Sequence, residues 1–405
     1  MAAARPVGPG FFPLDEELGL LPGSLSPQSQ DHLTRLAAWM PFERAAQMLA
    51  ALTGVQVSEA TTRRQTYTTG AAYEAVQAAQ VAAPEEPAPS VRAAKLVLSA
   101  DGAMVPLVHG QWAEVKTLVI GEVQVGQEAG DVQCRHLSYF SRMSEATLFA
   151  EQATVETMRR GVVDAPQVCA VMDGAEWIDG LVDLHCPDAV RILDFPHAAG
   201  YVSEIGRLAG LVEPEQVSAW LATQLHTLKQ EGPEAVLADL RTLCEHAPPD
   251  TEMHKQLAYL QKRSTRMQYP LYRAAGWPIG SGIVESGNKV VMQARLKGAG
   301  MHWAPAHVNP MLALRTAVCN DRWDEAHQQL RTYRRAQRHL RRQNLALQRL
   351  RQQVCRTLHQ RLAQRQQEPP PPPALPATPP PPAKKLASKY SWKHPFLRHP
   401  SSAKT

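Results

Sequence analysis

KLVLSADG, residues 95–102, is the stretch from which the fold of this chain can be read. Lys95 to Ala100 is a short apolar run rich in Val and Leu, bounded by Asp101-Gly102, which predicts a buried strand ending at that pair. AEVKTLVIGEVQV (113–125) predicts a second strand and Cys134 to Ser141 a third, so the three together predict a meander. Glu145 to Arg160 then carries Phe149, Val155 and Met158 at helical spacing and leads into the apolar run VCAVM (168–172). That run ends as the first does, on aspartate and glycine, at Asp173-Gly174; a further strand, Val190 to Leu193, ends at Asp194.

Strand, strand, strand, helix, strand, helix, strand is the order of a ribonuclease-H-like α/β core, in which acids at strand ends meet beside the sheet. Other α/β folds share the same periodicity. The expected core runs over residues 91–323, with an all-helical insertion at 198–277 because no strong strand pattern falls there. After the insertion, GWPIGSGIVES opens another helix running to about Lys297.

Outward from the core, Pro84 to Pro89 reads as a linker and sets a boundary near residue 90. Residues 24–90 are expected to be helical, with a break near Pro41 and a third helix capped by Ser58 that displays Thr62, Arg63, Arg64 and Gln65. Three helices in this order fit a helix-turn-helix that reads DNA, and equally fit plain helical packing. Residues 1–23 are rich in Pro and Gly and are expected to be a disordered lead-in. At the other end, 324–367 predicts a long basic helix with a ragged apolar stripe from Leu340 to Leu362, and 368–405 a Pro-rich and Lys-rich disordered tail.

Charge is divided unevenly. Residues 326–405 hold 17 Lys and Arg against one acid, whereas the first 325 hold 26 against 37, a net −11 beneath the overall +5. An acidic body with a basic arm suits an enzyme that keeps carboxylates for cations and recruits a polyanion elsewhere; the bland alternative is a solubilising tail. Arg334, Arg335, Arg338 and the arginines that follow are the expected phosphate contacts. Six scattered cysteines without a CxxC pair predict reduced thiols, with neither disulfides nor structural zinc. No run of eighteen apolar residues and no signal peptide are found, so the expected location is cytoplasmic, with no membrane partner.

Asp101 and Asp173 each follow an apolar strand and precede glycine. A single Asp-Gly is usually an ordinary turn; two of them plus a third acid favour a site. Glu285, near the start of the helix after Gly280-Ser281-Gly282, is that third acid. Helical geometry puts Ile283, Gly287, Val290 and Ala294 on the packed side, and Asn288, Lys289 and Met292 with Glu285 on the outer one. Hard carboxylate oxygens crowded in this way call for Mg²⁺ or Mn²⁺, and two ions can clamp both ends of an in-line phosphoryl displacement.

ADGAMVPL (100–107), VMDGAEWI (171–178), LDFPHAA (193–199) and PIGSGIVESGNKVVMQARLKGAGMHW (278–303) resemble the bacterial insertion-sequence transposases of the ISKra-four group, over roughly residues 10–323. The last segment is the specific signal. The resemblance implies DDE transposition: Asp101, Asp173 and Glu285 as the metal-binding triad, and His197, in a (C/D)xxH motif with Asp194, as an active-site helper. It further implies Trp303 as an aromatic able to stack on an unpaired base, with Lys289, Arg295 and Lys297 beside the DNA. The implied partners are double-stranded DNA, both the element's terminal inverted repeats and its target, and further copies of the chain assembled on it, in a bacterial, nucleoid-associated setting. Relatives often carry a CxxC-type zinc element ahead of the GFFPLDE segment (10–16); this chain has no cysteine before Cys134. Alternatives are a transposase-derived DNA-binding or regulatory protein without catalysis, and a ribonuclease-H-like nuclease.

Overall fold

A computed structural model describes residues 25–83, 93–126, 132–210, 214–245, 248 and 251–367. The expected lead-in, the Pro84–Pro89 linker and the tail from 368 lie outside the described residues. The chain forms two compact units, Met1–Leu340 and Arg341–Thr405.

The first unit is a mixed α/β structure. Three helices, α1 (Pro27–Trp39), α2 (Phe42–Thr53) and α3 (Glu59–Ala82), precede the sheet. Ser26 and Ser58 start α1 and α3 by accepting the backbone N–H groups of Ser29 and Thr61. The sheet follows: β1 (Lys95–Pro106), β2 (Trp112–Val125), β3 (Val132–Arg142), α4 (Ala146–Arg159), β4 (Gln167–Met172), α5 (Glu176–His185) and β5 (Val190–Leu193). Its order is β3-β2-β1-β4-β5, antiparallel across the first three strands and parallel from β1 to β4 to β5. One expectation fails here: β1 does not stop at Ala100. It continues through Asp101, paired with Thr117, to Pro106. The Val-rich β2 supplies a partner along that whole length, so Asp101-Gly102 is strand on this side and no turn forms.

Side chains alternate across the sheet. Leu96, Leu98 and Ala100 of β1, with Ala170 and Met172 of β4, pack against Phe149, Ala153, Ile178 and Leu181 of α4 and α5. Val97, Cys169 and Val171 face the other way, onto a helical layer. That layer is built from α6 (Phe195–Leu208), α7 (Pro214–Gln230), α8 (Pro233–Glu245), α9 (Glu252–Lys262) and α10 (Tyr269–Ala274). Among its described residues the stretch expected to be helical contains no strand.

The chain then returns to the sheet through α11 (Gly282–Gly287), a π-helical turn at Asn288–Gln293 and the short α12 (Ala294–Leu296), before α13 (Pro305–Cys319) and α14 (Trp323–Gln367). Helix α13 packs on α3, and Arg315, buried in α13, donates to the backbone oxygens of Val290, Val291 and Ala38. Two of those acceptors lie in the π-turn. A π-turn shifts the carbonyl ladder by one residue, so a buried guanidinium with several donors is a suitable clamp.

The outer edge of β3 is closed by side chains. Asn320 accepts from the Tyr139 N–H at 2.8 Å and donates to the Tyr139 oxygen at 2.9 Å; Asn309 does the same for Met143 at 2.8 and 3.2 Å. Each amide takes the place of a neighbouring strand. In the second unit, residues 341–364 of α14 are helical and exposed, including Leu345, Leu347, Leu350, Val354, Leu358 and Leu362. Among the described residues no helix is long and apolar enough to cross a membrane.

Candidate active site

Asp101 and Asp173 come together through strand register. Ser99 pairs with Val171 in the parallel β1–β4 ladder, so Asp101 and Asp173 each stand two residues beyond that pair. Neighbouring strands lie about 4.8 Å apart, and by alternation residue 101 falls on the Val97 side of the sheet. Asp101 is held above its ordinary acid range chiefly by burial, with the charge of Asp173 adding to it. Backbone and side-chain donors limit the rise, because Gly102 N–H donates to Asp101 Oδ1 at 2.7 Å and Asn288 Nδ2 to Oδ2 at 2.9 Å.

Asp173 is set by the turn that ends β4. Its Oδ1 accepts from Ala175 N–H at 2.9 Å, and Gly174 takes φ +84°, a conformation that glycine adopts at little cost. The helical layer grips this turn: the Tyr259 hydroxyl donates to the Asp173 carbonyl, and Arg263 Nη2 to the Gly174 carbonyl at 2.6 Å. Arg263 lies over the Tyr259 ring at 3.8 Å, and Tyr259 stacks on Tyr201 with centroids 4.0 Å apart.

His197 belongs to the same cluster, edge-on to Tyr201 at 5.2 Å and to Tyr259 at 6.1 Å. Asp194 is buried and caps α6, accepting from His197 N–H at 2.9 Å through Oδ2, while Oδ1 accepts from Ser281 N–H at 2.6 Å. That one carboxylate ties the start of α6 to the start of the helix bearing Glu285.

Glu285 is exposed on α11, a helix that packs against β1, β2 and β3. Gly287 makes this approach possible, since an added Cβ would stand 2.6 Å from Val119 Cγ2. The expected faces of this helix need correction. Asn288 and Met292 are buried, whereas Val290 and Ala294 are exposed. A uniform 3.6-residue period cannot anticipate the π-turn, whose extra residue rotates everything after it. So the register places Asp101 and Asp173 at the same end of adjacent strands, and Glu285 stands one turn before Asn288, the residue bonded to Asp101. Among the described residues, no group of three or more His, Cys, Asp or Glu stands ready to hold a metal ion.

The oxygens present nevertheless suit a hard cation. Asp101 and Asp173 stand at the same end of adjacent strands, and the amide oxygen of Asn288 is buried without a hydrogen-bond partner. Mg²⁺ needs no full protein cage: it retains waters and commonly takes one or two carboxylates.

The expected DNA contacts divide in two. Lys289, Lys297, Arg63, Arg64 and Arg335 are exposed. Arg295 and Trp303 are not, at 2% and 4% exposure. The Trp303 indole donates to Leu296 O at 3.0 Å and meets Phe42 and Tyr67 edge-on, so it is a core aromatic and not an open stacking platform. Arg295 donates to Ala37 O and lies over Phe42, and burial depresses its pKa to about 10. Arg295 thus docks α1 and α2, and Trp303 docks α2 and α3. Thr62 is likewise buried, while Arg334 bonds Thr69 and Arg338 bonds the Arg334 carbonyl. Sequence reasoning missed Asn288, Tyr259 and Arg263. For Asn288 a signal existed, its place one turn after Glu285; for the other two, within the helical layer, there was none.

No protein-family model matches the chain, and no curated protein does. Among solved structures it is similar to the Drosophila P element transposase strand transfer complex, at 13% identity over 79% of this chain and 83% of that one, with a TM-score of 0.26. A superposition that loose carries no inference.

Proposed function

We propose that this chain is a DDE transposase of insertion-sequence type, cutting double-stranded DNA at the ends of a mobile element and joining the freed 3′ ends to target DNA, with a ribonuclease-H-like core as its catalytic domain. The observation that carries the reading is the register of the parallel β1–β4 ladder, in which Asp101 and Asp173 each stand two residues beyond the Ser99–Val171 pair. It is supported by the strand order, by the return of the GSGIVESGNK segment to that same place, and by the motif resemblance of those segments.

In this reading Asp101 and Asp173 hold the cation, Mg²⁺ or Mn²⁺, and Glu285 serves from the rim of the site. When bound, a pair of such ions would stabilise the attacking and leaving oxygens of an in-line displacement. Tyr259 and Arg263 keep the Asp173 turn in place, and His197 stands behind it to orient the scissile phosphate. Lys289 and Lys297, exposed near the glutamate helix, would neutralise backbone phosphates; Arg63, Arg64 and Arg335, and separately the exposed arginines of the second unit, are further candidates for such contacts. Assembly of several copies on DNA, in the bacterial cytoplasm at the nucleoid, belongs to the same reading.

The test is a gel assay with DNA carrying the element's ends. Mg²⁺-dependent nicking and a strand-transfer product, both lost in Asp173→Ala, are expected. Nicking without transfer would make the chain a nuclease. DNA binding with no cation-dependent cleavage would make it a regulatory derivative and overturn the proposal.

A further inference from the structure

Asn288 is one of the few described residues with a buried polar atom that has no partner. It is 2% exposed, yet its Oδ1 meets no donor. Its orientation is not free: Nδ2 donates to Asp101 Oδ2 at 2.9 Å, and turning the amide over would press one oxygen against another. The carbonyl oxygen is thereby left facing a place where a donor or a cation belongs.

Three features hold it there. The π-turn begins at Asn288 and brings it inward, and such turns recur where a helix must present a functional side chain. Arg315 binds the carbonyls of Val290 and Val291 in that turn. Gly287 allows the helix to lie on Val119 and Tyr139. Three parts of the fold thus maintain a geometry that leaves a buried oxygen unsatisfied, an arrangement native structures rarely retain without a use.

Resting on the function proposed above, we infer that Asn288 is a further ligand residue of the site: its Nδ2 orients Asp101, and its Oδ1 joins the carboxylates of Asp101 and Asp173 around one divalent cation. An amide oxygen suits such a place because it adds a hard donor without a third negative charge beside the two carboxylates.

Calorimetric titration of Mn²⁺ into the full chain without DNA tests the inference, alongside Asn288→Ala and Asn288→Asp. Wild type is expected to bind, Asn288→Ala to bind about tenfold to a hundredfold more weakly, and Asn288→Asp to recover affinity above the pH at which its new carboxyl ionises. Should Asn288→Ala fail to fold, Mn²⁺ soaked into wild-type crystals gives the same answer, with Oδ1 expected about 2.1 Å from the ion. Affinity in Asn288→Ala within about twofold of wild type, or a water between the ion and Oδ1, overturns the inference and leaves the Asp101–Asp173 reading intact. Absence of Mn²⁺ binding in the wild type overturns both.

Discussion

Replacing Gly287 by alanine should damage stability and chemistry through one displacement. The new Cβ would stand 2.6 Å from Val119 Cγ2 and 3.3 Å from Cδ1 and Cε1 of Tyr139. Carbon atoms in contact prefer about 3.5–4.0 Å, so α11 must retreat by about 1 Å or the sheet must yield. Val119 lies in the middle of β2, paired to Ser99 on one side and Tyr139 on the other, so most of the movement falls on the helix. Overpacking of this kind costs about 1–3 kcal/mol, which urea unfolding resolves, and for domains of this general size lowers Tm by about 2–4 °C per kcal/mol. The same retreat pulls Asn288 from Asp101 and moves Glu285, and a misplacement of about 1 Å at a reacting centre costs about a hundredfold in rate. Gly180→Ala is the control. It sits on the exposed side of α5 with nothing within 4 Å of its Cβ, and should gain about 0.5–1 kcal/mol from helix propensity. The expected pattern is therefore a destabilised, nearly inactive Gly287→Ala beside an active, slightly stabilised Gly180→Ala. A Gly287→Ala protein with wild-type stability and wild-type Mg²⁺-dependent nicking would refute the claim that this close approach positions the helix.

Other perturbations separate the roles of the remaining residues. In metal-free protein, the folded state holds the Asp101 proton more tightly than the unfolded state does, so stability falls as pH rises from the ordinary aspartate range through the raised value. Asp101→Asn should flatten that loss in a series of melts in EDTA, and parallel curves for variant and wild type would contradict it. Trp303→Ala should cost about 3–5 kcal/mol in urea unfolding, while DNA affinity of the protein still folded is unchanged; a selective loss of affinity would return Trp303 to the DNA. Changing Arg341, Arg342, Arg349 and Arg356 together to alanine should weaken DNA binding and reduce the slope of log affinity against log salt by about 3 to 4. An unaltered slope would remove the second unit from the DNA-binding surface.

What could be read in the sequence was whatever depends on local pattern. Alternating or continuous apolar runs located the five strands, four of them to within two residues at either end, and Ser58 marked a helix start, because both are consequences of short-range sterics and burial. Asp101 and Asp173 were recognised for a partly mistaken reason: the turn exists at Asp173, but at Asp101 pairing with β2 overrides the Asp-Gly signal. The arginines show the limit most clearly. Arg295, Arg315 and Lys289 are all long cationic side chains, yet the first two are buried against backbone carbonyls and aromatic rings and only the third meets solvent. Which cation goes inside is set by residues far away in the chain, Ala37, Ala38 and Phe42 among them, and no periodic pattern encodes that distance.

The two asparagines on β3 bear on how the protein behaves when concentrated. An open sheet margin is a template on which another chain can lengthen the ladder. Asn309 and Asn320 occupy those backbone groups at Met143 and Tyr139 with the donor and acceptor spacing of a peptide, yet a side chain offers no further edge on which growth could continue. Removing both amides should therefore leave a chain that still folds but whose light scattering climbs with concentration more steeply than that of the wild type, with added self-association as the defect and the interior unharmed.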